Sequence, residues 1–389
     1  MIGDQVAVLE IGSRAVTLVF KGHKDKSVIS KSEVYGGFYD GDFIDNSLPS
    51  AIESVFENLR ESLKTRDILV GVPEEFTAVA LKRVNVNFKE AKPITEKDLD
   101  SLAEKGASSY GGREDYEIIS ASDISYIADG VKYTKAPLGI KAKSLIADIS
   151  YVFIEKQLTE ILSAVAERLK VSFVYTSGIL ALATFVVPEE LRDGGGVFLF
   201  DTGFTSSSVA LVRGDGIVYQ KSFLFGSMSI AEDLVVCMEH LGYSMPDEDA
   251  MDLLPKINLN WQPREDEAYP ATRSKGAKPT LYPACEINEI ARARVEVIAE
   301  TAKTAIDTCP HGSGVSAEIL LTGMGLGKMQ GAKEIIQEIT GKKTTVLKAD
   351  GVLQFSDPAK ATIAALILMQ QKRVSKVGFI KKLINKLFK

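Results

Sequence analysis

The chain has 389 residues, of which 45% are hydrophobic and 25% charged, and its formal net charge is -6. This length exceeds one ordinary hydrophobic core, so we expect two or more domains, and the composition excludes a disordered or fibrous chain. The three cysteines are an odd number at irregular spacing, which disfavours a disulfide framework and a cysteine zinc site. No apolar run approaches the roughly 20 residues that span a bilayer, and no basic leader precedes the first apolar run. We therefore expect a protein without a signal peptide that stays inside the cell.

The charge is distributed unevenly along the chain. Residues 372–389 contain seven lysines and arginines and no acid, so the rest of the chain is more acidic than the total suggests. An acidic body argues against nucleic acid as the main partner, because phosphate contacts need a basic surface.

The first predicted elements are two strands in QVAVLEIGSRAVTLVFKG, residues 5–22, joined at Gly12 and Ser13. The same order of a β-run, an acid, one further residue, Gly and small hydroxyl residues returns in GVFLFDTGFTSSSVALVRGDGIVYQKSF, residues 196–223. In a single hairpin, Gly and polar residues are explained by the requirements of the turn alone. Two copies with the acid in the same place favour a duplicated fold.

Helix and strand patterns alternate between the two hairpins. Residues 48–64 have helical spacing and precede a buried strand in DILVGVP. Thr95, with Asp98 three residues later, predicts an N-cap close to a capping box. Several strands follow that helix, which predicts a small α+β module over residues 84–158. Two further helices are predicted in LTEILSAVAERLK and SGILALATFVV.

The second half of the chain predicts helices on both sides of a polar span. A helix is expected over 228–242, with Ser229 as its cap and Cys237 on its buried apolar face. The span 245–283 is polar and Pro-rich, and its part QPREDEAYPATRSKGAKPTLYP, residues 262–283, is expected to form a long exposed loop or a mobile subdomain edge. After the long helix in EINEIARARVEVIAETAKTAIDTC, the stretch SAEILLTGMGLGKMQGAKEIIQEITG predicts a strand, a Gly-rich turn and a helix. Such a turn suits an anion or a nucleobase because backbone amides can approach closely, although αβ units commonly carry such glycines.

Residues 377–389, VGFIKKLINKLFK, have the pattern of a cationic amphipathic helix with one apolar face. Beyond a polar linker at 371–376, such a helix is typical of membrane interfaces, where each base near anionic lipid adds about 1 kcal/mol to apolar burial. Docking on the protein's own body or on a partner is the alternative. The predicted membrane-binding residues are Phe379, Ile380, Lys381, Lys382, Leu383, Ile384, Lys386, Leu387, Phe388 and Lys389.

Two acid-X-Gly hairpins followed by a Gly-rich strand-to-helix turn resemble the actin, Hsp70 and sugar-kinase superfamily. Three segments narrow the resemblance to FtsA, the bacterial actin-like cell-division protein: YGGFYDGDFIDNSLPSAIESVFENL, ITEKDLDSLAEKG and YIADGVKYTKAPLGIKAKSLIADISYVF. The last two are similar to the 1C subdomain inserted in that family. ARARVEVI, SDPAKATIAALIL and the amphipathic helix also fit, so the resemblance covers essentially the whole chain.

The resemblance implies an α/β, actin-like, two-lobed fold with duplicated β-hairpin phosphate loops, an inserted α+β 1C subdomain and a C-terminal amphipathic helix. The implied domains are lobe 1 (1A) at 1–83, 159–195 and 349–370, the 1C subdomain at 84–158, lobe 2 (2A) at 196–236 and 306–348, subdomain 2B at 237–305, a linker at 371–376 and the membrane-targeting helix at 377–389.

A site for ATP and Mg²⁺ is also implied by the resemblance. Glu10 and Asp201 would be the metal-side acids. The other nucleotide-binding residues would be Gly12, Ser13, Arg14, Thr202, Gly203, Thr205, Ser206 and Ser207 in the two turns, with Gly323 and Gly325 in the adenosine loop.

The chain departs from the FtsA pattern at this site. Glu10 replaces the usual Asp, and Ala15 replaces a basic residue for which only the adjacent Arg14 could substitute. A side chain in place of a glycine that approaches phosphate moves the turn or covers the site. We therefore expect an ATP-binding scaffold rather than an efficient ATPase. The remaining departures are Phe204 and Thr205 for two glycines, Ser208 for an acid and Met324 for a glycine.

The resemblance implies a protein that holds the C-terminal peptide of tubulin-like FtsZ and tethers FtsZ to the anionic cytoplasmic face of the cell membrane at the division site. It also implies self-assembly into filaments, and contacts of residues 84–158 with neighbouring subunits or later division proteins. A PilM-like cytoplasmic adaptor of a type IV pilus is one alternative. A phosphotransferase of the same superfamily is the other, which the altered hairpins disfavour.

Overall fold

The structure is a computed structural model. It describes residues 5–22, 28–39, 42–111, 114–272, 278–312, 314, 318–349 and 357–387, without the side chains of Tyr39 and of residues 375–387. The chain forms two compact units. Unit 1 comprises Met1–Val197, Ala210–Gln220 and Thr362–Lys389, and unit 2 comprises Phe198–Val209 and Lys221–Ala361.

Strands and helices alternate over the first half of the described chain. Its strands are β1 (Val6–Ile11), β2 (Ala15–Lys21), β3 (Val28–Val34), β4 (Phe38–Tyr39), β5 (Asp42–Phe43), β6 (Asp67–Val72), β7 (Thr77–Pro93), β8 (Tyr116–Ala128), β9 (Val131–Tyr133), β10 (Lys141–Glu155) and β11 (Ser172–Ser177). Its helices are α1 (Ser47–Leu59), α2 (Glu96–Ser108), α3 (Lys156–Leu169), α4 (Gly178–Phe185) and α5 (Glu189–Asp193).

The second half of the described chain begins with three successive strands and then becomes mainly helical. Its strands are β12 (Val197–Thr202), β13 (Ser207–Arg213), β14 (Gly216–Phe223), β15 (Ala268–Ala271), β16 (Thr280–Pro283), β17 (Glu318–Thr322) and β18 (Lys343–Val346). Its helices are α6 (Ser227–His240), α7 (Asp247–Leu253), α8 (Ala284–Asp307), α9 (Ala332–Thr340) and α10 (Ala361–Leu387).

Two five-stranded sheets have matching topology. Their strand orders are β3-β2-β1-β6-β11 and β14-β13-β12-β17-β18. In each sheet the strand that carries the acid pairs in parallel with a later strand, so Glu10 lies opposite Gly71 and Asp201 lies opposite Thr322. The predicted duplication is therefore confirmed by the order of the strands.

The core of unit 1 lies between its five-stranded sheet and helices. β1 and β6 are buried at almost every position, which is typical of central strands covered on both faces. Leu9 and Val70 pack in one hydrophobic cluster with Ile52 of α1 and Leu162 of α3. The amphipathic pattern of α1 and α3 thus positions both helices on the sheet.

The predicted α+β module is an antiparallel sheet with the order β7-β10-β8-β9 and α2 packed against it. Its own core contains Tyr151 of β10 and Leu102 of α2. The capping box between Thr95 and Asp98 is present, as the sequence predicts. The first strand of this sheet begins at Thr77, before the predicted start at residue 84.

Two expectations for α6 are wrong. The helix begins at Ser227 with Gly226 as its N-cap, so Ser229 lies within its first turn and not at the cap. Cys237 is exposed. The buried positions of α6 include Ile230 and Leu234, and they continue at Met238, which turns residue 237 to the solvent side.

Residues 262–283, expected to form a long exposed loop or a mobile subdomain edge, contain the hairpin of β15 and β16. Residues 273–277 lie outside the described part of the chain. Two buried tyrosines hold the hairpin: Tyr282 donates a hydrogen bond to Asp249 at 2.6 Å, and Tyr269 packs edge-on against Trp261 with ring centroids 5.3 Å apart. These aromatic contacts anchor the hairpin although most of the described residues around it are exposed.

The linker predicted at 371–376 is helical and lies within α10. It contains neither Gly nor Pro, and its glutamine, two lysines and arginine favour helix. The side chain of buried Gln370 donates to the Asp67 carbonyl oxygen at 3.1 Å, and Arg373 pairs with the Asp67 carboxylate at 3.1 Å. The predicted membrane-binding side chains lie outside the described side chains, and Phe388 and Lys389 lie outside the described residues. Across the described ranges, no helix is both long and apolar enough to cross a membrane.

Candidate functional site

The first acid-X-Gly turn is closed by its backbone and held by a tyrosine. The Gly12 amide donates to the Ala15 carbonyl oxygen at 2.9 Å. Tyr35 follows β3; its hydroxyl donates to the Gly12 carbonyl oxygen at 2.6 Å, and its amide donates to the Arg14 carbonyl oxygen at 3.0 Å. Burial, with a smaller contribution from the charge of Glu75, raises the pKa of Tyr35, so the phenol remains a hydrogen-bond donor.

The second acid-X-Gly turn has the same backbone closure but a different support. The Gly203 amide donates to the Ser206 carbonyl oxygen at 2.8 Å. At the N-terminus of α6, the Ser227 amide donates to the Gly203 carbonyl oxygen at 3.2 Å and the Met228 amide donates to the Phe204 carbonyl oxygen at 2.8 Å. Amides at a helix N-terminus, which could bind an anion, are therefore bonded to this turn.

The hydroxyl groups beyond the second turn are directed into unit 2. Ser207 is 2% exposed and donates to the Phe225 carbonyl oxygen at 2.6 Å. Ser208 replaces the family's acid; its hydroxyl lies 2.8 Å from that of Ser222. The serines that the sequence places in a phosphate cradle are thus buried, including Ser206.

Thr202 joins the second turn to the Gly-rich turn after β17. Its hydroxyl donates to the Thr322 carbonyl oxygen at 3.0 Å and accepts from the Leu326 amide at 2.8 Å. The Gly325 amide donates to the Thr202 carbonyl oxygen at 2.8 Å. At Gly323, where φ is +94°, a β-carbon would collide with that carbonyl oxygen. The predicted adenosine glycines therefore allow one backbone to pack directly on another.

The predicted residues fall into two described groups. Glu10, Gly12, Ser13 and Arg14 lie in unit 1. Those in unit 2 are Asp201, Thr202, Gly203, Thr205, Ser206, Ser207, Gly323 and Gly325. The unit 2 group lies around the ends of β12 and β17.

The resemblance implies ATP and Mg²⁺ as ligands. Whether they fit depends on where the hydrogen-bond donors of unit 2 are directed. A phosphate cradle needs backbone amides and hydroxyl groups directed at the ligand. Here the amides of Gly203, Gly325 and Leu326 and the hydroxyls of Thr202 and Ser207 all bond within the unit. Within the described ranges, no three His, Cys, Asp or Glu side chains come together to hold a metal ion. As arranged, these donors are therefore directed at partners within unit 2 and not at a triphosphate.

One supporting residue, Tyr35, is absent from the sequence-based site, and another, Thr202, has a different role from the one predicted. Tyr35 is 23 positions from Gly12, and no local signal links the two. Thr202 was predicted as a nucleotide contact, but its contact with Leu326, 124 positions later, gives it a packing role. The repeated glycines after β17 are the sequence signal from which this contact could have been predicted, because repeated glycines indicate a close approach of another backbone.

Comparison with known proteins agrees with this architecture. Residues 64–153 match the family described as the SHS2 domain inserted in FTSA, a range that covers α2 and most of the β7-β10-β8-β9 sheet. No curated protein sequence matches the chain significantly.

Solved structures share the fold over nearly the whole chain. A chain of the PilM-PilN type IV pilus biogenesis complex is 12% identical with a TM-score of 0.59, covering 94% of this chain and 98% of that one. MreB 5 of Spiroplasma citri bound to AMPPNP is 12% identical with a TM-score of 0.55, covering 98% of both chains. The MamK double helical filament is 11% identical with a TM-score of 0.53, covering 95% and 99%. At these identities the likeness is one of fold.

The duplicated sheets and these relatives define an actin-like fold that carries an inserted SHS2 domain. Residues 64–153 match the SHS2 domain inserted in FtsA, so the resemblance seen in this part of the sequence is confirmed, and the chain as a whole shares the actin-like fold.

Proposed function

We propose that this protein is a cell-division adaptor that tethers FtsZ filaments to the cytoplasmic face of the cell membrane. The observation that carries the proposal is the SHS2 match at residues 64–153 within an actin-like fold. FtsZ is the partner implied by the sequence resemblance, through its C-terminal peptide. The site of action is then the division septum, with the protein attached peripherally.

Residues 377–389 supply the membrane attachment in this proposal. They combine six large apolar residues with four lysines, which suits an anionic bilayer surface. A single short amphipathic helix is a modest anchor, so attachment is reversible. Because α10 runs without interruption from Ala361 to Leu387, this segment continues a helix that is anchored in unit 1 through Gln370.

The adaptor role needs no ATP hydrolysis. MreB 5 was solved with AMPPNP, and in this chain Glu10 and Asp201 are the acids that would face Mg²⁺. The bonded donors around Thr202 and Ser207 support a scaffold whose second turn is complete without nucleotide. We expect a labelled ATP analogue to bind with a Kd above about 100 μM and hydrolysis to stay at background; nucleotide-dependent turnover would revive the phosphotransferase alternative.

Self-assembly is the second part of the proposal. MamK, which shares the fold, was solved as a double helical filament. A filament needs a head-to-tail interface, and residues 84–158 are the proposed contact with a neighbouring subunit or with later division proteins. Electron microscopy of the full chain on lipid monolayers tests this, and filaments unaffected by deletion of the module would contradict it.

Co-sedimentation with anionic liposomes, with and without FtsZ, tests the adaptor function. Leu383→Glu with Leu387→Glu removes two apolar anchors, and Ser375→Glu with Asn385→Glu is the control with the same change in charge. Burial of one Leu contributes about 1.5–3 kcal/mol, so the first variant should lose at least 100-fold in lipid affinity and the control far less. Pelleting of FtsZ only with the parent chain supports the proposal.

Failure of the parent chain to pellet would refute the membrane anchor. Pelleting without FtsZ would refute the partner. Capture of the cytoplasmic tail of a pilus membrane protein in place of FtsZ would identify a PilM-like adaptor.

A further inference from the structure

A groove of about 870 Å³ lies in unit 2, lined by α8, α9 and the end of β14. Apolar side chains line it, among them Phe223, Val297, Ile335 and Ile339. Val297 is 44% exposed although it lies on a helix with an otherwise well-buried apolar face. An exposed apolar groove of this size is suitable for the apolar face of a helix.

Acidic side chains also line the groove. They are Glu296 and Glu300 of α8 and Glu338 of α9. Among the described residues, none of these three carboxylates forms an ion pair. Lys221 is the one base in the described lining. A lining that combines apolar and acidic side chains is complementary to a helix that has one apolar and one cationic face.

Residues 377–389 have this chemistry and a matching length. Their six large apolar residues and four lysines alternate with helical spacing. A 13-residue helix would be about 20 Å long at 1.5 Å per residue, and the lining from Ala293 of α8 to Thr308 at its C-cap spans about 22 Å on the same basis. The complementarity thus covers charge and length.

We propose that this groove binds residues 377–389 of a second copy of the chain when no membrane is present. A second copy is the proposed occupant because α10 is continuous from Ala361 to Leu387 and is bonded to Asp67 of unit 1 through Gln370, so residues 377–387 continue this helix and, in the proposal, meet the groove of another copy. The contact is heterologous, so it links copies head to tail. Membrane and groove then compete for the same apolar face.

Photo-cross-linking of the full chain tests the contact. Benzoylphenylalanine replaces Val297 in the groove, or Val236 on α6 as a control that is exposed to a similar degree, 53% against 44%. Without lipid, the Val297 position should yield a cross-linked dimer whose cross-linked peptide maps to residues 377–389, and the Val236 position should not. An intramolecular product, a different peptide, or equal yields at both positions would overturn the proposal.

Charge reversal gives a second, independent readout. Glu296→Lys with Glu300→Lys should weaken self-association by at least 10-fold in lipid-free sedimentation velocity, and Glu289→Lys with Glu239→Lys is the control outside the groove lining. Thermal unfolding first establishes that both variants fold, and unchanged association in the groove variant would refute the contact. The cross-link is measured without lipid or FtsZ, so it does not depend on the proposed adaptor function. Loss of the cross-link on adding anionic liposomes is expected, and persistence would refute the competition.

Discussion

The two hairpin turns share one geometry but differ in what supports them. In each, the glycine amide donates to the carbonyl oxygen three residues later, and in each the acid lies two residues before the glycine. The first turn is held by the hydroxyl of Tyr35. The second is enclosed by α6 and by the Gly-rich turn through Thr202. Both turns therefore have the same backbone geometry. In the second turn, however, hydrogen-bond donors are bonded within unit 2.

The difference is seen at two pairs of equivalent positions. Ile11 and Thr202 both precede the turn glycine and both are buried, yet only the threonine bonds to another turn. Likewise, Thr17 and Ser208 each follow the acid by seven positions and each meets a hydroxyl on the next strand, in an exposed and a part-buried setting respectively. This comparison indicates that substitutions should cost more in the second hairpin.

The largest effect is expected at the Gly-rich turn. Gly323→Ala places a β-carbon against the Thr202 carbonyl oxygen at a positive φ, so we expect a loss of about 3–5 kcal/mol in the free energy of unfolding. Gly341→Ala is the control, because Gly341 has φ +65° with open space around it and should cost about 1 kcal/mol. Urea denaturation measures both, and equal losses would show that the close approach is not present.

Thr202→Val tests the link between the turns. The substitution keeps the shape but leaves the buried Leu326 amide without its acceptor, so a loss of about 2–3 kcal/mol is expected. At the equivalent position, Ile11→Val should cost about 1 kcal/mol through lost packing alone. If Thr202→Val were as mild as Ile11→Val in urea denaturation, the bonded second turn would be refuted.

Tyr35→Phe removes the support of the first turn. The lost hydrogen bond to Gly12 should lower the free energy of unfolding by about 1 kcal/mol, and amide exchange at Gly12 should become faster. Exchange at Gly203 serves as the internal control and should not change. Faster exchange at both glycines would mean that the two turns do not have separate supports.

The smallest contrast is between the paired hydroxyls. Ser208→Ala should cost about 1 kcal/mol, because the hydroxyl of Ser222 loses its partner in a part-buried setting. Thr17→Val should change stability by less than about 0.5 kcal/mol, because Ser32 can bond to water instead. Chemical denaturation measures the free energy of unfolding of both variants. A larger loss of stability for Thr17→Val than for Ser208→Ala would contradict the comparison.

Local sequence patterns predicted the features that depend on neighbouring residues. The strands around Gly12 and Gly203, the capping box at Thr95 and the helix after the Gly-rich turn all follow from turn chemistry and periodicity. The contacts of Tyr35 and Thr202 join residues 23 and 124 positions apart, and no local signal specifies them.

The failures have the same physical origin. The exposure of Cys237 depends on which face of α6 meets its neighbours, and the hairpin within residues 262–283 depends on the buried ring of Tyr282 and its hydrogen bond to Asp249. At 371–376, polar composition suggested a linker where helix propensity continued α10. In each case tertiary contacts or helix propensity determined the structure, and a prediction from the polarity of the local sequence was wrong.

The most direct test of the adaptor function is recruitment of fluorescent FtsZ to a supported anionic bilayer. With the full chain present, the account predicts FtsZ filaments on the bilayer without ATP hydrolysis, and their loss with Leu383→Glu and Leu387→Glu. FtsZ that remains in solution while the chain coats the bilayer would contradict the account.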